Sequence, residues 1–182
     1  NVNIWSIGAI FLIIMITFKS ISLPIILVAV IEFAIFVNMS IPYYTNTPLV
    51  FVASIVIGAI QLGATVDYAI LMTSRYQKER LNGKGKAEAV SIAHKTSIKS
   101  IITSGSCLFA ACFGITLYSS IDMIKAITTL LARGTVISVF VVLCILPAML
   151  WIFDSIICKT TWDMRHIQAG KKAVEKIQHG EI

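Results

Sequence analysis

Asp67 stands in the stretch GAIQLGATVDYAILMTSRYQKER (Gly58 to Arg80), among apolar and small neighbours and well before the charges Arg75, Lys78, Glu79 and Arg80. It falls about 12 Å inside Arg75 at about 1.5 Å per helical residue, near the middle of a hydrocarbon core about 30 Å thick. A carboxylate there costs about 2.5–3.5 kcal/mol on insertion scales and marks a functional site by default. The chemistry it suits is proton exchange. A low-dielectric site disfavours the charged carboxylate, so uptake and release of one proton changes the local charge by one unit and lets helices repack. A proton crossing the membrane supplies about 2.3 kcal/mol per 100 mV.

Tyr68 adds a phenol that can donate to a carboxylate or accept from a carboxylic acid. Ala59, Gly63 and Asp67 recur every four residues and share one helical face. Small residues there predict close approach of a neighbouring helix, which would enclose the carboxyl in protein. The alternative role for Asp67 is a permanent hydrogen-bonded glue between helices.

Other polar residues fall inside apolar runs. Glu32 lies near the centre of its span, and an ion pair with Arg133 that fixes packing is its expected role, although their depths match loosely. Ser100, Thr103, Ser104 and Ser106 could hydrogen-bond toward Asp67, or serve as helix–helix glue. Gly105 suits close packing, and Gln61 is a further polar group of open role. No phosphate-binding loop or H-E-x-x-H occurs, and no second aspartate at matching depth is available for an intramembrane protease. Asp154 falls at a helix end and Asp122 in the outer connection. The expectation is therefore no enzyme, no cofactor and no metal. Cys107, Cys112, Cys144 and Cys158 lack ligand spacing and read as small hydrophobes.

These residues need a membrane scaffold. Of 182 residues, 57% are hydrophobic and 13% charged, with mean hydropathy +0.87; soluble domains run at about 45–50% and 25%. The predicted class is all-α, a polytopic bundle of five transmembrane helices over residues 1–158, with spans at about 4–18, 22–39, 49–74, 101–118 and 127–153. Pro24 suits the first turn of the second span. Ser40 to Pro48 (SIPYYTNTP) reads as a loop, as does Ser119 to Ala126. Residues 76–99 read as a polar loop holding a short amphipathic surface helix through Ala87, Val90 and Ala93. Residues 159–182 form a basic tail. The first span begins abruptly, which suggests a piece of a longer protein.

Of the 15 Lys and Arg, Lys19 contributes one, residues 75–99 seven and the tail from Lys159 five. All fall on one side of a five-span bundle, which the positive-inside rule assigns to the cytoplasm, C-terminus included. The net charge of +6 is thus explained by topology, and no nucleic-acid partner is expected.

At GATVDYAILMTSRYQKER the chain resembles the MMPL family of the resistance–nodulation–division superfamily of exporters. The carrying residues are Asp67-Tyr68 with Ser74-Arg75-Tyr76, then Glu88-Ala89-Val90, Ile102-Thr103-Ser104 and Leu146-Pro147-Ala148. The resemblance implies one half of a twelve-span transmembrane domain, spans eight to twelve if the C-terminal half. It implies that an Asp-Tyr pair in each half forms a proton relay driving export of lipids or other hydrophobic molecules across the cell membrane. Asp67 and Tyr68 would be this half's pair, with Gly63, Ser100, Thr103, Ser104, Glu32 and Arg133 as relay or packing support. The implied partners are the bilayer, the remaining helices and extracytoplasmic domains, a hydrophobic cargo and, compatibly, further copies of the chain. Two alternatives stay open: a lipid-binding regulatory bundle similar to sterol-sensing domains, and an accessory subunit of protein translocation, although Sec-associated members lack the Asp-Tyr pair.

Overall fold

A computed structural model describes residues 2–44 and 51–161. Six helices follow in order: α1 (Val2–Phe18), α2 (Ser22–Tyr44), α3 (Phe51–Leu81), α4 (Lys86–Tyr118), α5 (Asp122–Ile152) and the short α6 (Asp154–Thr160). The protein is a helical membrane bundle. In α2 to α5 it has four helices long and apolar enough to cross a bilayer, and Trp5–Phe18 within α1 forms a shorter apolar helix. Large apolar side chains such as Phe36, Leu117 and Phe140 point outward, as suits a lipid solvent.

The central helix is α5, which packs against α2, α3, α4 and α6. Its buried residues Leu131, Gly134, Thr135, Ser138, Val142, Leu146 and Leu150 follow the helical repeat. On α4 the buried positions Ala89, Ala93, Ser97, Ile101 and Gly105 recur every fourth residue and Cys112 continues the line. This stripe of mostly small side chains brings α4 close to its neighbours. A Cβ added to Gly105 would come 2.5 Å from Val139 Cγ2, so any larger residue there forces Val139 to move.

The same stripe corrects the expected loop at 76–99. Helix α3 runs on to Leu81, and α4 starts at Lys86 and continues unbroken into the membrane. The amphipathic segment is the water-facing start of a 33-residue helix. At about 1.5 Å per residue that helix is about 50 Å long. Ala93 is buried as expected, but Ala89 takes the inward position and Ala87 faces out. Only a tight turn separates the two helices. Gly83 adopts a φ of 83°, a left-handed conformation that favours glycine. Arg80 Nη1 donates to the Lys84 carbonyl at 2.7 Å. Lys84 and Glu79 pair at 2.6 Å, and that contact raises the Lys84 ammonium above its ordinary range.

Two other boundaries also differ. Helix α2 continues to Tyr44 with Pro42 in its last turn, where a missing i−4 bond near the end is tolerated; residues 45–48 of the expected loop lie outside the described residues. Helix α5 starts at Asp122, so the connection from α4 is shorter than expected. The second helix carries Pro24 in its first turn, as predicted. The basic tail from Trp162 onward also lies outside the described residues.

Candidate functional site

Ala59, Gly63 and Asp67 share one face of α3, as their spacing predicts, and all three are exposed. Among the described residues no helix covers them; a Cβ built on Gly63 would meet nothing within 4 Å. The expectation that a neighbouring helix encloses the carboxyl is therefore not met among the described residues. The reason lies on the opposite sides of α3, where Leu62, Ala69, Met72 and Tyr76 bury themselves in the core and fix the rotation of the helix. Asp67 stands nine residues from Tyr76, which marks one end of the bundle. That spacing amounts to about 13 Å along the helix axis.

Tyr68 turns inward. It is buried, and its hydroxyl lies 3.9 Å from where a Cβ on Gly105 would sit. The adjacent pair thus straddles α3, with the carboxyl on the outer face and the phenol under α4. Ser100, Thr103, Ser104 and Ser106 are exposed on α4. Thr103 Oγ1 donates to its own helix at the Lys99 carbonyl, 2.8 Å away, and among the described residues none of the four bonds to Asp67. Cys112 and Cys158 are buried as small hydrophobes, whereas Cys107 and Cys144 face outward.

Behind this face lies a polar network that joins α2, α3 and α5. Asn38 Nδ2 donates to Gln61 Oε1 at 2.8 Å and approaches the Leu130 carbonyl at 3.3 Å. Gln61 Nε2 donates to Ser138 Oγ at 3.1 Å and reaches the Gly134 carbonyl at 3.4 Å. Thr65 Oγ1 lies 2.8 Å from Ser138 Oγ and donates to the Gln61 carbonyl at 2.7 Å. Gly134 makes the cluster possible, since a Cβ there would fall 2.6 Å from Asn38 Nδ2 and 2.7 Å from Gln61 Oε1.

Arg133 joins the same cluster rather than Glu32. Its Nε donates to Asn38 Oδ1 and its Nη2 to the Asn38 carbonyl, both at 3.0 Å. The expected Glu32–Arg133 pair does not form, and depth explains why. Glu32 follows Ser22, the start of α2, by ten residues, while Arg133 precedes Trp151, at the same end of the bundle, by eighteen. In axial rise these separations are about 15 Å and about 27 Å. Asn38, six residues beyond Glu32, is the group at the right height. Glu32 stays half-buried with no ion pair among the described residues.

At the opposite end, four residues that sequence reasoning left out of the site form a latch. Arg80 Nε pairs with Asp154 Oδ1 at 2.8 Å and Nη2 donates to Oδ2 at 3.0 Å. Tyr76 donates its hydroxyl to the same carboxylate. Arg80 also reaches Cys158 Sγ at 3.2 Å. Burial pushes the Cys158 thiol up, with the Arg80 guanidinium acting the other way. Lys86 Nζ sits 4.6 Å over the Trp151 ring, a cation–π contact. Arg75, beside this cluster, donates to the Thr96 carbonyl of α4. Asp154 reads from sequence as a helix end; its spacing from Cys158, one turn on, is the available signal.

Sequence comparison finds relatives over much of the chain. The chain is 30% identical over 143 residues to YdgH of Bacillus subtilis (strain 168), covering 76% of this chain and 16% of that protein. It is 26% identical over 100 residues to ActII-3 of Streptomyces coelicolor, covering 55% of this chain and 14% of that protein. The chain therefore spans a small part of the length of these relatives. No solved structure matches it. The model of the MMPL family matches residues 2–172, which takes in all six helices, and the chain belongs to the MMPL family.

Proposed function

We propose that this chain is the transmembrane part of a proton-motive-force-driven exporter of lipids or other hydrophobic molecules, with Asp67 as its proton-carrying group. The observation that carries the reading is a contrast within the bundle. Asn38, Gln61, Thr65, Arg133 and Ser138 find hydrogen-bond partners inside the chain, whereas Asp67 faces out at mid-depth beside Ala59 and Gly63. A carboxylate left on such a face is costly in lipid, and protonation removes the charge.

In this reading the face is covered by the other half of the longer protein, whose helix approaches along Ala59 and Gly63. The protonated and ionised carboxyl then favour different packings across that seam. Tyr68, anchored under Gly105, holds this part of α3 against α4 while the outer face moves. Export follows from the coupling of that repacking to the extracytoplasmic domains, and the chain performs no covalent chemistry. The α3–α4 turn and the C-terminus lie in the cytoplasm, where the basic residues cluster, and the protein resides in the cell membrane.

The test is export of a labelled lipid by cells producing the full-length protein. Asp67→Asn should reduce export to the level of cells lacking the protein, with unchanged amounts in the membrane, and a protonophore should do the same to wild type. Export by Asp67→Asn at the wild-type rate would remove the proposal.

A further inference from the structure

We propose that the outer seam between α4 and α5 seats an anionic phospholipid of the bilayer, with its phosphate on Arg133 and an acyl chain along the groove beside Phe109 and Val136. This goes beyond the exporter reading and does not rest on it, since the groove is built from α4 and α5 with Ile41 of α2 and makes no use of Asp67 on α3.

The groove has two continuous parts. One, of about 440 Å³, is bounded by Phe109 and Phe113 of α4, Ile41 of α2, and Arg133 and Val136 of α5. The other, of about 250 Å³, shares Phe109 and Val136 with it and runs on past Gly105 to Ile102. Phe109 and Phe113 stack in parallel, 9° between planes and 5.8 Å between centroids, and form a flat apolar wall. Gly105 lets α4 pack closely against Val139 and sets the floor. The result is a long apolar channel with one cation at its far end.

That cation is what selects the occupant. Arg133 uses two of its five N–H donors on Asn38, and among the described residues no carboxylate pairs with it. A guanidinium keeps its charge at any working pH and binds phosphate with planar, paired donors. Its height fits a headgroup. Arg133 lies about 27 Å from Trp151 along α5, close to the far edge of a hydrocarbon core about 30 Å thick. Asn38 holds the guanidinium in place, so its remaining donors are oriented before a lipid arrives.

The test uses the full-length protein purified in mixed micelles containing equal amounts of dioleoylphosphatidylglycerol and dioleoylphosphatidylcholine, with retained lipids identified by native mass spectrometry. Wild type should retain the anionic phosphatidylglycerol preferentially. Arg133→Gln should lower that preference about fivefold, the effect of one basic residue at an anionic surface, and Arg133→Lys should keep most of it. Val136→Trp fills the channel while leaving Arg133 and Asn38 untouched, and it should lower retention of the anionic lipid in a protein of unchanged thermal stability. Retention unaffected by Arg133→Gln, or by Val136→Trp, would overturn the proposal. So would cross-linking of Val136→Cys to a second copy, or its protection from a lipid-borne maleimide, because either would put protein in the channel instead of lipid.

Discussion

The inner and outer sides of α3 treat polarity in opposite ways. On the inner side Gln61 and Thr65 meet Asn38, Gly134 and Ser138 in a closed set of hydrogen bonds. On the outer side, six residues past Gln61, Asp67 meets no helix among the described residues and its small neighbours leave room for something else. Polar groups buried with partners hold a membrane bundle in register. A polar group left open within the same span is informative because packing among the described residues does not account for it. Position within a span alone, therefore, does not separate scaffold from machinery. Partner closure does.

The sharpest way to break the scaffold side is at the latch. Asp154→Ala would leave the Arg80 guanidinium buried beside Tyr76 without its counter-ion, a loss of about 3–5 kcal/mol for a broken buried pair. The thermal midpoint of the purified full-length protein should fall sharply, and Cys158 should become reactive to maleimide. Next comes Gly134→Val, which drives side-chain atoms into Asn38 and Gln61. Overpacking of this kind costs about 1–3 kcal/mol, read as a lower midpoint with the latch intact. Gln61→Leu removes interhelical bonds worth about 0.6–2 kcal/mol within membranes, so its midpoint should drop less than that of Gly134→Val.

Gly63→Leu is expected to have the smallest effect on stability and the most telling one on function. Nothing in the described part of this chain lies near that position. Within this bundle the substitution should cost less than about 0.5 kcal/mol, as for surface substitutions in general. Export should nevertheless fall, since the added side chain would prop open the seam over Asp67. Normal export by this variant would mean that no helix approaches there.

Much of the site could be read from residue order alone. The four-residue repeat of Ala59, Gly63 and Asp67 fixed a common face, and the apolar lengths fixed a helical membrane class. What stayed hidden needed registration between distant segments. Asn38, Gln61 and Gly134 meet because they stand at nearly equal heights above Ser22, Tyr76 and Trp151, which mark one end of the bundle. Those heights are about 24 Å, about 22 Å and about 26 Å, a match that appears only once each helix start is known. The continuous α4 escaped for a related reason. Its polar first turns resemble a surface segment until the four-residue line from Ala89 to Gly105 is seen to cross the membrane boundary without a break. Glu32 and Arg133 looked complementary by charge and failed by height.

Proton flux is the most direct test of the role given to Asp67. The full-length protein, reconstituted into liposomes loaded with a pH-sensitive dye, should acidify the lumen when an inward proton gradient and a hydrophobic cargo are supplied. Asp67→Asn should abolish that flux, while Gln61→Leu, equally intramembrane but part of the scaffold, should retain it. Equal flux through wild type and Asp67→Asn would contradict the claim that the open carboxyl carries the proton.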